Sequence, residues 1–175
     1  KGKTVAISKR RSSYGKDTLD QLFFQDLTYG RIHSFSDFAK SAAQTPQTFN
    51  SFYADAGTAG IYTTGLLPIR PNGADSDLPT DGRGKYEWTG FLAAGGHPQG
   101  TIPNGLLVNW NNKPAPKFAA SDTRFGDETM LPRSEMLLNN LQATPQHTLA
   151  TVTGAMNKAA TQDVRGDLFW PILKS

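Results

Sequence analysis

The sequence has 175 residues and a mass of 19.0 kDa, which suits one domain or a domain with a helical extension. Only 37% of the residues are hydrophobic, and the 17 Gly and 11 Pro favour a loop-rich globular protein over a helical bundle or coiled coil. The absence of Cys excludes thiolate catalysis, zinc–thiolate sites and disulfides. The sequence has no apolar run of about 18 residues, so we expect no membrane partner.

The net charge is +3, and much of the basic excess lies near the N-terminus. A basic cluster of this kind can bind phosphates, but no aromatic residues are interleaved with it to stack on bases. We therefore predict a solvated segment and no nucleic-acid partner, with a basic nucleic-acid-binding module as the alternative. The three His residues lie far apart without metal-ligand spacing, which predicts surface or capping positions. The basic residues are Lys1, Lys3, Lys9, Arg10, Arg11 and Lys16.

The chain begins with a predicted strand followed by two predicted helices. Residues 3–8 alternate apolar and polar side chains, which is typical of a strand. Apolar residues then recur with helical spacing from Leu19 to Leu27, and Gly30 stands where a C-cap glycine ends a helix. Ser34 and Asp37 resemble a capping box at the start of the second helix, which ends before Pro46.

A hairpin and a long irregular stretch follow. Residues 48–55 and 60–64 are rich in β-forming side chains and flank a turn at 56–58, which predicts two antiparallel strands. Residues 65–105 are dominated by Gly, Pro, Asn and Asp, so we expect little regular structure there. Long ordered loops of this kind are usually functional.

The rest of the chain predicts a short strand and then helices. Residues 106–110 are apolar, and the turn at 111–114 places polar side chains directly after this strand, where they are suited to face a cleft. One helix is expected after Pro132, another with Leu149, Val152 and Met156 on one face, and a last apolar element at 164–173.

Most catalytic motifs are absent from the sequence. It lacks a G-x-S-x-G nucleophile elbow and a Walker A loop, and the glycines at 82 and 84 supply only half of a dinucleotide-binding motif. The segment from Asp75 to Asp77 begins like a calcium-binding EF-hand, but Pro79 replaces an oxygen ligand and no Glu closes the loop. We interpret these carboxylates as turn formers.

Residues 48–122 nevertheless carry a series of short motifs, and their order and spacing are more specific than any one of them. Together, and above all through the N-W-N-N-x-P block, they resemble the β-chain of the penicillin acylase family of N-terminal-nucleophile hydrolases. Weaker similarity continues through Arg133 to residues 163–165. The motifs are YAD at 53–55, GIY at 60–62, TG at 64–65, LP at 78–79, GKYEWTG at 84–90, NWNNKP at 109–114 and ASD at 120–122.

This resemblance implies an α+β fold that forms part of an αββα sandwich of antiparallel strands and helices. Residues 1–122 would be a β-chain core segment, and residues 123–175 a helical portion. In this family an N-terminal serine, freed by autocatalytic cleavage of a precursor, attacks an amide carbonyl and uses its own α-amino group as the base. That serine would precede the matched region, so we expect an internal β-chain fragment that is inactive alone. Its expected partners are the remaining α-chain and β-chain parts and a small-molecule amide substrate, in an extracytoplasmic location.

The resemblance also implies roles for five residues. Asn111 would donate to the oxyanion, and Arg133 would orient that asparagine and the nucleophile's amine. Phe49 would form a wall of the acyl pocket. Asp122 and the carbonyl of Ser76, where relatives commonly have proline, would bind a structural calcium ion, and catalysis needs no cofactor. The alternative roles are a turn asparagine for Asn111, a surface arginine on a helix for Arg133 and a core aromatic residue for Phe49.

Two functional hypotheses from different classes remain open. The first is an amide hydrolase whose substrates could be penicillins, cephalosporin side chains, acyl-homoserine lactones or other amides. The second is a non-catalytic module that keeps the fold elements and binds a ligand or partner in the former cleft.

Overall fold

The computed structural model describes residues 2–76, 78–102, 105–115, 118 and 133–175. The chain divides into two compact units, Lys1–Asn104 and Gly105–Ser175. The predicted boundary at residue 122 lies outside the described residues. The described α-helices are α1 (Asp20–Thr28), α2 (Phe35–Ala42), α3 (Arg133–Gln142), α4 (Leu149–Thr161) and α5 (Val164–Leu173), and short 3-10 helices lie at Asp17–Leu19 and Ala94–Gly96. The strands are β1 (Asn50–Ala54), β2 (Ala59–Thr63), β3 (Pro68–Ile69), β4 (Gly90–Phe91) and β5 (Gln99–Ile102).

The first unit begins with an extended segment that forms no strand. Residues 2–10 lack regular structure, and Val5 and Ile7 are exposed. The prediction of a strand at 3–8 was therefore wrong. A strand is stabilised by hydrogen bonds to a neighbouring strand, and no described strand pairs with this segment.

Both predicted helices of the first unit are confirmed. Gly30 ends the α1 region with a φ of 62°, and its N–H donates to the Leu27 carbonyl at 3.1 Å. At the start of α2, the Asp37 N–H donates to the Ser34 side chain at 3.1 Å, as the capping pattern predicts. The predicted apolar face of α1 is confirmed only at Phe23, which packs into the core, while the leucines of that face stay exposed.

The predicted hairpin is confirmed and forms part of a three-stranded antiparallel sheet with the order β1-β2-β5. Phe52 pairs with Ile61, and Ile61 pairs with Gly100 on the other side. The sequence did not indicate β5, which lies within the Gly- and Pro-rich stretch. This strand forms because it finds the free edge of β2, which is a long-range contact that local composition does not reveal.

The core of the first unit lies between this sheet and the helices. Phe38, Ala42 and Tyr62 are buried, and Phe35 and Tyr53 pack against them. The ring centroids of Phe38 and Tyr53 are 5.5 Å apart. Aromatic rings at this separation bury a large apolar area and orient one another. The helices therefore cover the face of the sheet that carries Tyr53 and Tyr62.

One buried polar group belongs to the same unit. His97 is buried, with Nδ1 2.8 Å from the Thr63 carbonyl oxygen and its ring stacked on Tyr62 at a centroid distance of 5.4 Å. The prediction of a surface or capping position for this histidine was therefore wrong. It is a hydrogen-bonded core residue, consistent with the rule that buried polar groups find partners.

The second unit contains an irregular segment and three helices. Residues 106–110 form no strand, contrary to the prediction, because no described strand lies beside them. Helices α3 and α4 pack together, and Asn140 Nδ2 donates to Gln162 Oε1 at 2.7 Å. The predicted apolar face of α4 is confirmed only at Val152, which is half-buried; the fully buried side chains are Ala155 and Ala159, while Leu149 and Met156 are 84% and 57% exposed.

Helix α5 confirms the last predicted element, and it exposes large apolar side chains. The large apolar side chains of its C-terminal half are exposed, although apolar helix surfaces are normally buried. Within the described ranges, no helix has the length and apolar character needed to cross a bilayer. The exposed side chains are Leu168, Phe169, Trp170, Ile172 and Leu173.

Candidate active site

The central feature of the candidate site is a strained turn in the second unit. Asn111 has a φ of 59° and is the only described residue other than glycine with a positive φ. Asparagine tolerates this left-handed conformation better than most residues because its short polar side chain can bond locally. The Trp110 N–H donates to Asn112 Oδ1 at 2.8 Å. The turn thus exposes the Asn111 side chain while its two neighbours stay half-buried.

Arg133, the first residue of α3, binds this turn. Its Nη2 donates to Asn111 Oδ1 at 3.3 Å and to the Trp110 carbonyl at 3.4 Å. Its guanidinium carbon lies 5.2 Å from the centroid of the Trp110 ring, which is within cation–π range. Two residues singled out from the sequence, 22 positions apart, are thus in contact.

This contact determines what the Asn111 amide can do. Because Oδ1 accepts from a cation, the amide is oriented with its NH₂ group directed away from Arg133. A neutral donor held in this way, beside a positive charge, is suited to stabilise negative charge that develops on a substrate oxygen. Neither residue is a nucleophile, so the pair can supply stabilisation but not attack.

Phe49 lies in the first unit, directly before β1. Its backbone is fixed by Thr64, whose Oγ1 accepts from the Phe49 N–H at 2.9 Å and whose own N–H donates to the Phe49 carbonyl at 2.8 Å. Its side chain is 57% exposed. Within this unit the ring of Phe49 is therefore not part of the core.

The residues predicted to bind calcium are only partly within the described structure. Ser76 is half-buried in a turn of the first unit, and Asp122 lies outside the described residues. In the described part of the chain, no group of three or more His, Asp or Glu residues is arranged to hold a metal ion. Calcium takes about six to eight oxygen ligands. The described residues alone therefore do not fit a calcium site.

The basic N-terminal cluster is partly neutralised within its own unit. Arg10 pairs with Glu87 at 3.2 Å and its guanidinium carbon lies 4.5 Å from the centroid of the Trp88 ring, while Arg11 pairs with Asp17 at 2.7 Å. These pairs are exposed, so each adds little to stability. They support the interpretation of the cluster as a solvated segment.

Two residues beside Asn111 were not predicted as site residues. Trp110 and Asn112 flank Asn111; the sequence predicted Trp110 at the end of a strand and Asn112 in a turn suited to face a cleft, but it assigned neither a role at the site. The sequence does place an aromatic residue and a second asparagine at this turn. An Asn side chain commonly accepts hydrogen bonds from nearby backbone N–H groups, so this pattern could have predicted the role of Asn112 in the turn.

The chain is similar to proteins of a known family. The family model described as penicillin amidase matches residues 4–174. The chain is 29% identical over 176 residues to penicillin G acylase of Escherichia coli. This alignment covers 98% of the present chain and 20% of the E. coli protein. It also resembles the structure of thermostable penicillin G acylase from Alcaligenes faecalis, with a TM-score of 0.79, 29% identity and coverage of 94% of this chain and 30% of that one. It thus spans about a fifth of the E. coli protein and less than a third of the A. faecalis chain. The match over nearly its whole length shows that the chain belongs to the penicillin amidase family.

Proposed function

We propose that this chain is an internal β-chain segment of an acylase that hydrolyses a linear amide bond, and that Asn111 stabilises the oxyanion. The observation that supports this most strongly is the contact of Arg133 Nη2 with Asn111 Oδ1 at 3.3 Å, made at a residue whose φ is 59°. Strained residues persist where the surrounding structure holds them, and they concentrate at active sites.

The proposed mechanism divides the work between this chain and the rest of the acylase. A serine at the N-terminus of the mature β-chain, freed by autocatalytic processing and outside the present sequence, attacks the amide carbonyl with its α-amino group as base. The carbonyl oxygen becomes negative, and the Asn111 NH₂ group donates to it. Arg133 keeps the amide in the donating orientation. Loss of one such donor typically raises the barrier by about 3 kcal/mol.

For the acyl group of the substrate, we propose Phe49 as a wall of the pocket. Its exposed ring and fixed backbone support this assignment, because a rigid aromatic side chain binds apolar groups at low entropic cost. The relatives are named for penicillin G, so the aromatic acyl amides of that class are the first substrates to try. The proposed substrate is a small-molecule amide, and the proposed chemistry needs no cofactor.

The proposed partners are the remaining α-chain and β-chain parts of the same acylase, which would complete an αββα sandwich. Two apolar surfaces support this proposal. Helix α5 exposes its large side chains, and Phe52 and Ile61 lie on the face of the sheet opposite the helices.

We also propose an extracytoplasmic location and no nucleic-acid or membrane partner. A structural calcium ion is proposed as well, to which Asp122 and Ser76 would contribute only part of the ligand set.

The experiment that tests this function compares two proteins on a panel of chromogenic acyl-anilides, from short and aromatic to medium-chain. The full-length acylase should turn over at least one of them, and the 175-residue chain should turn over none. The variant Asn111→Ala of the full-length protein should lose the activity. Turnover by the 175-residue chain alone would contradict the assignment of an external serine nucleophile. Silence from both proteins would favour a non-catalytic binding module.

A further inference from the structure

We propose that Trp110 and Asn112 are positioning residues that hold the Asn111 amide in its donating orientation. This inference rests on the proposed function, because it assigns roles around the same asparagine. Neither residue is placed on the reacting atoms. Both act through the conformation of Asn111 or through Arg133.

Asn112 holds the backbone of the turn. Its Oδ1 accepts the Trp110 N–H at 2.8 Å, so this hydrogen bond spans Asn111. The φ of Asn111 is 59°, a conformation that residues other than glycine adopt rarely. A hydrogen bond that closes over such a residue selects the left-handed backbone against the extended one. Without it, the Asn111 side chain would leave the position in which it meets Arg133.

Trp110 holds the guanidinium group. Its ring centroid lies 5.2 Å from the guanidinium carbon, and its carbonyl accepts from Nη2 at 3.4 Å. The same Nη2 donates to Asn111 Oδ1 at 3.3 Å. Trp110 therefore contacts Arg133 through both its side chain and its backbone. The ring restricts the guanidinium to the orientation in which it can reach Asn111.

The orientation matters because the two ends of an amide have opposite effects on an oxyanion. The NH₂ end donates a hydrogen bond, whereas Oδ1 would repel the negative oxygen. Arg133 distinguishes the two ends, since it can only donate. Loss of either positioning residue should therefore lower kcat, where the oxyanion develops, and leave KM nearly unchanged.

The test uses the full-length acylase with Asn112→Ala, Trp110→Leu and Trp110→Phe. We expect Asn112→Ala and Trp110→Leu to lower kcat by about 10- to 100-fold, with KM changed by less than about twofold, because small displacements of catalytic groups have effects of this size. Trp110→Phe keeps an aromatic face for the guanidinium and should recover most of the lost kcat.

Asn140→Ala is the matched control. It removes a side-chain hydrogen bond of 2.7 Å in the same unit, from α3 to Gln162 at the end of α4, so it reports loss of stability without contact to the turn. It should leave kcat unchanged. Equal losses in Asn140→Ala and Asn112→Ala would contradict the positioning roles.

The outcomes for the positioning roles and for the proposed function are separable. If Asn111→Gly abolishes turnover while Asn112→Ala and Trp110→Leu behave like the wild type, the positioning roles are wrong and the proposed function stands. If Asn111→Gly keeps wild-type kcat, the proposed function itself fails. If Trp110→Leu does not fold, Trp110→Met takes its place, because it also removes the aromatic face, and Asn112→Ala decides the role of Asn112 independently.

Discussion

The sheet of the first unit and the Asn111 turn of the second unit are held by different forces. The sheet is fixed by burial of aromatic rings around Phe38 and Tyr62. The turn is fixed by hydrogen bonds and a cation–π contact among exposed and half-buried side chains. Burial contributes most of the free energy of folding, whereas polar contacts contribute less and specify orientation. We therefore expect substitutions in the sheet core to change stability and substitutions in the turn to change activity.

The largest effect on stability should come from Phe38→Ala. Phe38 is 4% exposed at the centre of the aromatic cluster, so its removal leaves a cavity between α2 and the sheet. The expected loss in the free energy of unfolding is about 3–5 kcal/mol. Denaturation of the 175-residue chain with urea, followed by circular dichroism, measures it.

Phe24→Ala is the matched control for this prediction. Phe24 lies on α1 beside Phe23 but is 54% exposed, so its removal should lower the free energy of unfolding by about 1 kcal/mol or less. Equal losses for the two variants would show that the aromatic cluster does not hold this unit.

A smaller loss of stability is expected from Gly60→Ala. A Cβ atom at this position would lie 2.4 Å from a ring carbon of Phe35, so the ring or the strand would have to move. Overpacking of this kind typically costs about 1–3 kcal/mol. Gly100→Ala in the adjacent β5 is the control, because a Cβ there meets nothing within 4 Å. A free energy of unfolding unchanged by Gly60→Ala would contradict the close approach of α2 to β2.

The smallest effect on stability is expected from Asp26→Asn, and it should depend on pH in the acid range. The hydroxyl of Ser41, which donates to Asp26 Oδ2 at 2.6 Å, and then Arg31 lower the pKa of this carboxyl below its ordinary value of 3.8. A lowered pKa in the folded state contributes stability above the unfolded pKa, and this contribution is lost as the pH falls through the folded pKa. Asp26→Asn should therefore be less stable than the wild type near pH 6, and the difference should shrink below about pH 4. Thermal unfolding between pH 6 and 3 measures this, and a constant difference would contradict the assignment.

The parts of the fold that the sequence predicted are those fixed by local chemistry. The cap at Ser34, the glycine after α1 and the hairpin at 50–63 each depend on residues a few positions apart. The failures involve pairing over longer distances. Residues 3–8 and 106–110 have strand-like patterns but no described partner, and β5 has a weak pattern but finds the edge of β2.

The candidate site could be predicted only through the family resemblance. Without it, Asn111 reads as an ordinary turn residue, since nothing in local spacing brings Arg133 to it from 22 positions away. The left-handed φ of Asn111 and the contacts of Trp110 and Asn112 become visible only when the chain is folded. The face of α4 was predicted correctly only at Val152. Small residues allow close helix packing, so Ala155 and Ala159 are buried while Met156 is exposed.

The most direct test of the account is the variant Asn111→Gly in the full-length acylase. Glycine adopts a φ of 59° without strain, so the backbone of the turn should be preserved while the amide donor and its hydrogen bond to Arg133 are lost. We predict that kcat falls by about 100- to 1,000-fold while the thermal midpoint changes little. Asn111→Ala should lose the same activity and also some stability, because it places a Cβ in the left-handed conformation. Wild-type kcat in Asn111→Gly would contradict the claim that the Asn111 side chain stabilises the oxyanion.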